Sequence, residues 1–189
     1  MKKLTLILFL IATITFAQQD QDMIKEHFAV YEQAMIKKDF DKVLDYTHPA
    51  IFELYGRDVV KASLEMTMNG SGDMTMDFTE MKITQISDII TFEDRKITKL
   101  VTKAKMTMNF AEELDEETQG FMIKTMEAQL GEGCCNYDAA TKKLSVSSIS
   151  DIYAVADKNS DDWKFLSQDE QTKTILDKII PKEIQEKLK

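Results

Sequence analysis

The spacing of apolar residues changes once along this chain, and that change limits the folds that the chain can adopt. Upstream of residue 70 the spacing is helical, as in the stripe formed by Ile24, Phe28, Tyr31 and Met35. Residues 69–72 read Asn-Gly-Ser-Gly, a turn signal, and after them apolar and polar residues alternate. Alternation is typical of strands that bury one face. Helices followed by strands predict an α+β protein with helices packed on an antiparallel sheet.

The helical part contains further, shorter elements. Asp39 is suited to cap a second helix, and a third helix is predicted over residues 58–68. Pro49 ends the second helix, because the residue before a proline is driven towards extended backbone. The strand-like run 51–55, closed by Gly56, is interpreted as a short strand.

The strand part begins with a phase shift that predicts a bend. Its apolar positions are first Met74, Met76 and Phe78, and then Met81 and Ile83. A shift of one residue in an alternating pattern indicates a β-bulge, which bends a long strand.

Downstream patterns complete the sheet and add two helices. The next strand has one apolar face, made by Leu100, Ala104, Met106, Met108 and Phe110. Residues 115–130 predict an inserted helix, because the first turn is acidic and Gly131 can end it. Further strand patterns cover residues 134–137, 144–156 and 163–167. A last helix carries Ile175, Leu176, Ile179 and Ile180, and Pro181 interrupts it.

The first residues resemble an export signal. Lys2 and Lys3 precede an apolar run over residues 4–16, and a small residue, Ala17, follows at the expected cleavage site. The run is shorter than the roughly 20 residues that a membrane-spanning helix needs. We therefore expect residues 1–17 to be a signal peptide and residues 18–189 to form a single domain. The mature protein is expected in the periplasm or secreted, with no membrane insertion.

The charge of the chain argues against one class of partner. Acidic residues outnumber basic residues by 33 to 24, and the formal net charge is −9. A nucleic-acid-binding protein needs a basic face to neutralise phosphates. We therefore expect no nucleic-acid partner.

Several segments resemble the NTF2-like, or SnoaL-like, superfamily. Residues 31–46 resemble its opening helices, residues 48–54 its connection into the third helix, and residues 162–166 its last strand. The resemblance spans about residues 23–168. More narrowly, the chain is similar to small exported members from Bacteroidetes-type bacteria, a group whose members generally have no assigned function.

The resemblance implies an α+β, NTF2-like cone. N-terminal helices would pack on a long bent antiparallel sheet, here with an inserted helix and a C-terminal helix. Such a cone can hold a small apolar molecule, and the superfamily includes isomerases, cyclases, dehydratases and non-catalytic binding domains. The resemblance also implies that a homodimer could form through the outer face of the sheet. The fold alone does not choose among these functions.

The leading hypothesis is a non-catalytic domain that binds a small apolar or amphipathic ligand, or a partner, in its cone. The Met- and Phe-rich strand face would supply the lining. The residues expected to line this pocket are Tyr31, Met76, Phe78, Leu100, Met106, Met108, Phe110 and Tyr153.

The first alternative is an enzyme of the isomerase, cyclase or dehydratase type. Such a site needs a carboxylate or histidine base inside an apolar cavity. Asp77 alternates out of phase with Met76 and Phe78, so it is expected to face away from them, and Asp45 is expected to be solvated. His48 is interpreted as a loop residue bonded to backbone. No catalytic residue is therefore predicted.

The 12 methionines suggest a second alternative, a periplasmic copper-binding protein. Thioethers bind Cu(I), and Met-x-Met on a strand places both sulfurs on one face. The same positions share their period with Phe78 and Phe110, which favours an apolar lining. The two histidines lie far apart in sequence, which disfavours zinc. No metal ligand and no cofactor is predicted.

The adjacent cysteines Cys134 and Cys135 are candidates for redox chemistry or a disulfide. Adjacent Cα atoms lie closer together than the usual disulfide range, so a bridge between them would be strained. The options are that bridge, an intermolecular bond, or two buried thiols. The spacing is not Cys-x-x-Cys, so thioredoxin-like chemistry is not supported.

Overall fold

The structure is a computed structural model that describes residues 2–70, 72–168 and 172–188, with side chains from residue 18 onward. Within these residues, helices and strands follow one another in an α+β order. They are α1 (Lys2–Lys37), α2 (Phe40–Tyr46), α3 (Ala50–Tyr55), α4 (Arg57–Asn69), β1 (Met74–Ile86), β2 (Ile90–Phe92), β3 (Arg95–Phe110), α5 (Glu116–Leu130), β4 (Cys135–Asp138), β5 (Lys143–Asp157), β6 (Lys164–Ser167), α6 (Lys173–Ile179) and α7 (Lys182–Lys187).

The strands form one antiparallel sheet of six strands. The main order is β1-β3-β5-β4, with β2 paired to β3 and β6 paired to β5. The predicted α+β class is confirmed, as are the long sheet, the inserted helix and the helices at the C-terminal end. This architecture is consistent with an NTF2-like cone.

The predicted β-bulge in β1 is confirmed. The register between β1 and β3 shifts between Phe78 and Glu80 and again between Ile83 and Gln85. After the first shift, Met81 pairs with Ala104. At the same place, a Glu32 carboxylate oxygen in α1 accepts a hydrogen bond from the Met81 backbone N–H at 3.1 Å. The first helix is therefore tied to the edge strand where that strand bends.

The predicted short strand over residues 51–55 is wrong, because these residues form helix α3. Pro49 already has helical backbone angles, and the ring of His48 caps the new helix by accepting a hydrogen bond from the Ala50 N–H at 3.2 Å. Gly56, at φ 80°, ends α3 with a backbone conformation that suits glycine. A local cap and a favourable φ at proline therefore outweigh the strand-like composition.

The two faces of the sheet bury different clusters, because side chains alternate along each strand. On one face, Leu100, Ile152 and Ala154 pack with Ile24 and Phe28 of α1 in what we call the α1 cluster. On the opposite face, a second cluster forms beneath α3, α6 and α7. It contains Ile97, Tyr153, Val155, Leu166, Ile51, Ile175, Leu176, Ile179, Ile180, Ile184 and Leu188.

A third cluster, the methionine cluster, lies beside α5. Only Met108, Leu144 and Val146 are buried in it. Half-buried residues complete it: Met74, Met76, Met106, Phe110, Met122, Ile123, Met126, Cys135 and Tyr137. Met106, Met108 and Phe110 lie at even-numbered positions of β3, as Leu100 does, so they lie on the same face of the sheet. The methionine cluster is therefore next to the α1 cluster on that face. Two helices, α1 and α5, thus cover successive parts of the same sheet face.

Helix α1 includes the segment predicted to be a signal peptide. Cleavage of residues 1–17 stays a prediction. Among the described residues, no helix is both long and apolar enough to cross a bilayer.

Candidate functional site

A cleft of about 500 Å³ opens between the N-terminal helices and strands β5 and β6. We call it the helix–sheet cleft. Its lining comes from α1, α2, α3, α4, β5, β6 and the segments next to them. The lining residues are Tyr31, Val43, Leu44, Thr47, Ile51, Tyr55, Val59, Val60, Ser63, Leu64, Ile152, Phe165, Leu166, Ser167 and Thr172.

Packing of the short helices fixes the apolar walls of the helix–sheet cleft. Asp39 caps α2 by accepting a hydrogen bond from the Lys42 N–H at 3.1 Å, and this helix presents Val43 and Leu44. Both side chains are almost fully buried. Strand β6 supplies Phe165 from the opposite side. Helix α2 and strand β6 therefore each supply part of the apolar wall of the helix–sheet cleft.

Tyr31 brings a polar group into this apolar space. Its ring lies 5.9 Å from the ring of Phe28 and 5.5 Å from that of Phe165, measured between centroids. Burial raises the pKa of the Tyr31 hydroxyl to about 12. The hydroxyl therefore stays protonated at physiological pH, and within the described structure no protein group hydrogen-bonds to it. It can donate a hydrogen bond to a ligand but is a poor base.

The other polar groups of the helix–sheet cleft are hydroxyls as well. Thr47 donates a hydrogen bond to the Val43 carbonyl at 3.0 Å, and Ser63 adds another hydroxyl to the lining. At the rim, Tyr55 is 44% exposed and Val59 is 62% exposed. Apolar walls, a few hydroxyls and an exposed apolar rim are typical of a site for a greasy small molecule.

A second cleft, of about 620 Å³, is more polar and lies around His48. Its lining includes Arg95, Asp157 and Lys164. The His48 ring is held by the Ala50 N–H, as expected for a loop histidine bonded to backbone. Burial, followed by the positive charge of Arg95, lowers the pKa of His48 to about 4, against the opposing effect of Asp157. His48 is therefore neutral at physiological pH.

The residues predicted to line one pocket are divided among several places. Tyr31 lines the helix–sheet cleft. Phe78 and Leu100 belong to the α1 cluster, and Tyr153 lies on the opposite sheet face in the second cluster. The others lie in the methionine cluster, namely Met76, Met106, Met108 and Phe110. The structure thus does not bring the eight together, and their role in ligand binding stays a prediction.

The carboxylates that were weighed as bases lie where they were expected. Asp77 forms an ion pair with Lys38 at 2.8 Å and accepts a hydrogen bond from Asn109 at 2.8 Å. The hydrogen bond from Lys38, followed by that from Asn109, lowers the pKa of Asp77 against the effect of burial. Asp45 is exposed and pairs with Arg57 at 2.8 Å. Neither carboxylate belongs to the lining of the helix–sheet cleft.

The two cysteines are free thiols with their sulfur atoms 3.1 Å apart. Cys134 is buried, and Cys135 packs against the methionine cluster. Burial raises the pKa of the Cys135 thiol to about 12, with further contributions from Cys134 and from the negative charge of Glu127. Within the described residues, no group of three or more His, Cys, Asp or Glu is arranged to hold a metal ion.

Most residues of the helix–sheet cleft were not predicted. Val43, Leu44, Ile152 and Phe165 have ordinary core composition, and they come together from separate elements. The sequence marks them only as apolar positions. The segment with the strongest resemblance, residues 31–46, does contain three of the lining residues, which is the one signal that pointed to this place.

No family model matches the chain, and no curated protein matches it in sequence. Among solved structures, one match is a "putative dehydratase from the NTF2-like family" from Streptomyces avermitilis. The two chains are 12% identical, and the match covers 79% of this chain and 93% of the other, with a TM-score of 0.36. The α+β element order and the antiparallel sheet of this chain are themselves consistent with an NTF2-like cone.

Proposed function

We propose that this protein is a non-catalytic NTF2-like domain that binds a small apolar molecule with one hydrogen-bond acceptor in the helix–sheet cleft. The observation that carries the proposal is Tyr31, which lines an apolar cleft of about 500 Å³ and whose hydroxyl has no protein partner within the described structure. A half-buried donor in such a cleft gains a hydrogen bond from a ligand acceptor.

The chemistry of the described lining supports binding rather than catalysis. Proton abstraction at neutral pH needs a group with a pKa near the working pH. The pKa of Tyr31, at about 12, is far above that range, and the other polar lining groups are hydroxyls. Hydroxyls and apolar walls select a ligand by shape and by a hydrogen bond.

The proposal includes export, so that the protein meets its ligand in the periplasm or outside the cell. The charged start and the apolar run over residues 4–16 support this location. Mass spectrometry of the protein from its own host tests it, because cleavage after Ala17 predicts a mature chain that begins at Gln18. An intact N-terminus would contradict export by this route.

Nile red, a neutral apolar dye with one carbonyl acceptor, tests the helix–sheet cleft. We expect the wild-type protein to bind it with a blue shift in emission. Tyr31→Phe removes only the hydroxyl, so we expect about fivefold weaker binding, equivalent to about 1 kcal/mol. Leu64→Trp fills the cleft and should abolish binding.

Tyr137→Phe is the matched control, because Tyr137 is half-buried like Tyr31 but packs in the methionine cluster and does not line the helix–sheet cleft. Its dissociation constant for Nile red should equal that of the wild type. Equal binding by the wild type and Leu64→Trp would mean that the dye adsorbs elsewhere, and the proposal would then be abandoned. The same conclusion follows if folded wild-type protein does not bind the dye.

A further inference from the structure

We propose that Cys134 and Cys135, together with a methionine of α5, form a binding site for Cu(I). The site lies beside the methionine cluster, and it shares no residue with the lining of the helix–sheet cleft. It is therefore independent of the function proposed above.

The first observation is the geometry of the two thiols. Their sulfur atoms lie 3.1 Å apart, so both can bind one ion with only small side-chain rotations. The backbone holds this position, because the Cys134 carbonyl accepts a hydrogen bond from the Ser147 N–H at 2.7 Å, and the Cys134 N–H donates to the Gly131 carbonyl at 3.3 Å. The pair is thus attached to the long strand β5.

The second observation is the supply of thioethers around Cys135. The Cys135 sulfur lies 3.9 Å from the carbonyl oxygen of Ile123 in α5. Met122 and Met126, on the same helix as Ile123, pack against the methionine cluster as Cys135 does. Met106 lies on the same sheet face, since Cys135 and Met106 both pair with Val146. Two thiols therefore lie next to several soft, neutral sulfur donors.

The type of ligand selects the ion. Thiolate and thioether sulfur are soft donors that favour Cu(I), whereas imidazole and carboxylate donors suit harder divalent ions. A third ligand from the methionines completes a sulfur-only site. The sequence alone did not connect the methionines with the cysteines, and the contact of α5 with Cys135 does so.

Binding exchanges protons for the metal. Two S–H bonds break and their two protons go to solvent. Two Cu–S bonds to thiolates and one to a thioether form as copper leaves its previous ligands, and copper stays in the +1 state throughout. Affinity should therefore increase with pH, because fewer protons have to be displaced.

Cys135 is partly exposed, and the loose packing of α5 allows this helix to adjust around the ion. None of the residues of α5 is fully buried, and Met122 and Met126 are half-buried. An element with so little buried apolar surface opens locally at low cost. The helix can thus admit the ion and then place a thioether on it.

Competition with bicinchoninate, a coloured Cu(I) chelator, tests the site in anaerobic buffer with fully reduced protein. We expect the wild-type protein to remove one equivalent of Cu(I) from the chelator. Cys134→Ser and Cys135→Ser should each weaken binding by more than about 100-fold, beyond the cost of losing a supporting contact. The double variant Met122→Leu/Met126→Leu should weaken it by about tenfold.

Met66→Leu is the matched control, because Met66 is 69% exposed on α4 and lies outside the methionine cluster. It should bind Cu(I) as the wild type does. Circular dichroism verifies that each variant is folded. If one cysteine variant does not fold, the Cu(I) affinities of the other cysteine variant and of the methionine double variant test the site.

Three results would overturn the proposal: no transfer of Cu(I) to the wild type, unchanged affinity in a folded cysteine variant, or equal affinity of the double variant and Met66→Leu. Nile red binding by the cysteine variants should stay at the wild-type level. This measurement separates a failure of the copper site from a failure of the helix–sheet cleft.

Discussion

The α1 cluster and the methionine cluster lie on one face of the same sheet, yet they are packed very differently. Leu100 and Met108 are eight residues apart on β3 and point the same way. Around Leu100, the residues Ile24, Phe28 and Trp163 are at most 2% exposed. Around Met108 most members are half-buried, and α5 has no buried residue. The covering helix, and not the strand pattern, thus decides how firmly a sheet face is packed.

The two clusters also differ in the shape of their side chains. The α1 cluster joins aromatic rings at fixed angles, with Phe28 and Phe165 perpendicular at 87° and 5.3 Å between centroids. Such rings have few conformations and fill space at crystal-like density. Methionines have three rotatable bonds and adapt to several arrangements. Aromatic rings of the first type line the helix–sheet cleft, whereas the flexible side chains of the methionine cluster pack beside Cys135.

The largest expected difference between the clusters is in stability. Phe28→Ala should lower the free energy of unfolding by about 3–5 kcal/mol, because it leaves a cavity among buried rings. Met122→Ala removes a half-buried side chain and should cost about 1 kcal/mol or less. Urea unfolding of both variants checks this. Equal losses would mean that α5 is packed as firmly as α1.

Acid should act on the polar cleft around His48, which lies outside both of these clusters. The pKa of His48 is about 4 in the folded protein against an ordinary value of 6.5, so between these values the unfolded chain binds more protons. Stability is therefore complete above pH 6.5 and decreases as the pH falls towards 4, by about 2 kcal/mol for this partly exposed group.

His48→Asn provides the control for the acid effect, since its side-chain oxygen can still accept the bond from Ala50 but does not titrate. Urea unfolding at a series of pH values should show a flatter profile for this variant between pH 6.5 and 4. Parallel profiles would assign the acid sensitivity to other groups.

The helix caps give the smallest and most local comparison. Asp39→Ala should lower global stability by about 1 kcal/mol, because α2 buries Val43 and Leu44.

Asp115 caps α5 by accepting a hydrogen bond from the Thr118 N–H at 2.7 Å. Asp115→Ala should leave the global unfolding midpoint unchanged and speed up hydrogen exchange of the α5 amides. Asp115→Asn should restore the slow exchange, and a shift of the midpoint in Asp115→Ala would show that α5 unfolds together with the sheet.

Local signals in the sequence were sufficient for most of the fold. The phase shift after Phe78 predicted the bulge, and the acidic start and Gly131 predicted both ends of α5. The segment 51–55 was misassigned because four apolar residues around Glu53, without a clear period, fit a strand or a short helix. The His48 cap and the helical backbone angles of Pro49 make this segment a helix. The spacing of apolar residues does not reveal either feature.

The candidate sites were less predictable, because they depend on contacts between distant segments. Tyr31 was identified, but its partners in the helix–sheet cleft come from five other elements and the segments next to them. The strand pattern correctly grouped Met106 and Met108 on one face, yet nothing in it showed that α5 would cover them. The alternation of apolar and polar residues along a strand predicts which face of the sheet a side chain lies on. Which helix packs against that face depends on tertiary contacts.

The bulge in β1 has a consequence for solubility. This strand is 13 residues long and forms a margin of the sheet, where unpaired amides could recruit a strand from another molecule. The register shifts in β1 interrupt the regular hydrogen-bond ladder that an added strand would need. In addition, the Met81 backbone N–H already donates its hydrogen bond to the Glu32 carboxylate. The kink that shapes one molecule thus also discourages fibre-like growth from one copy to the next.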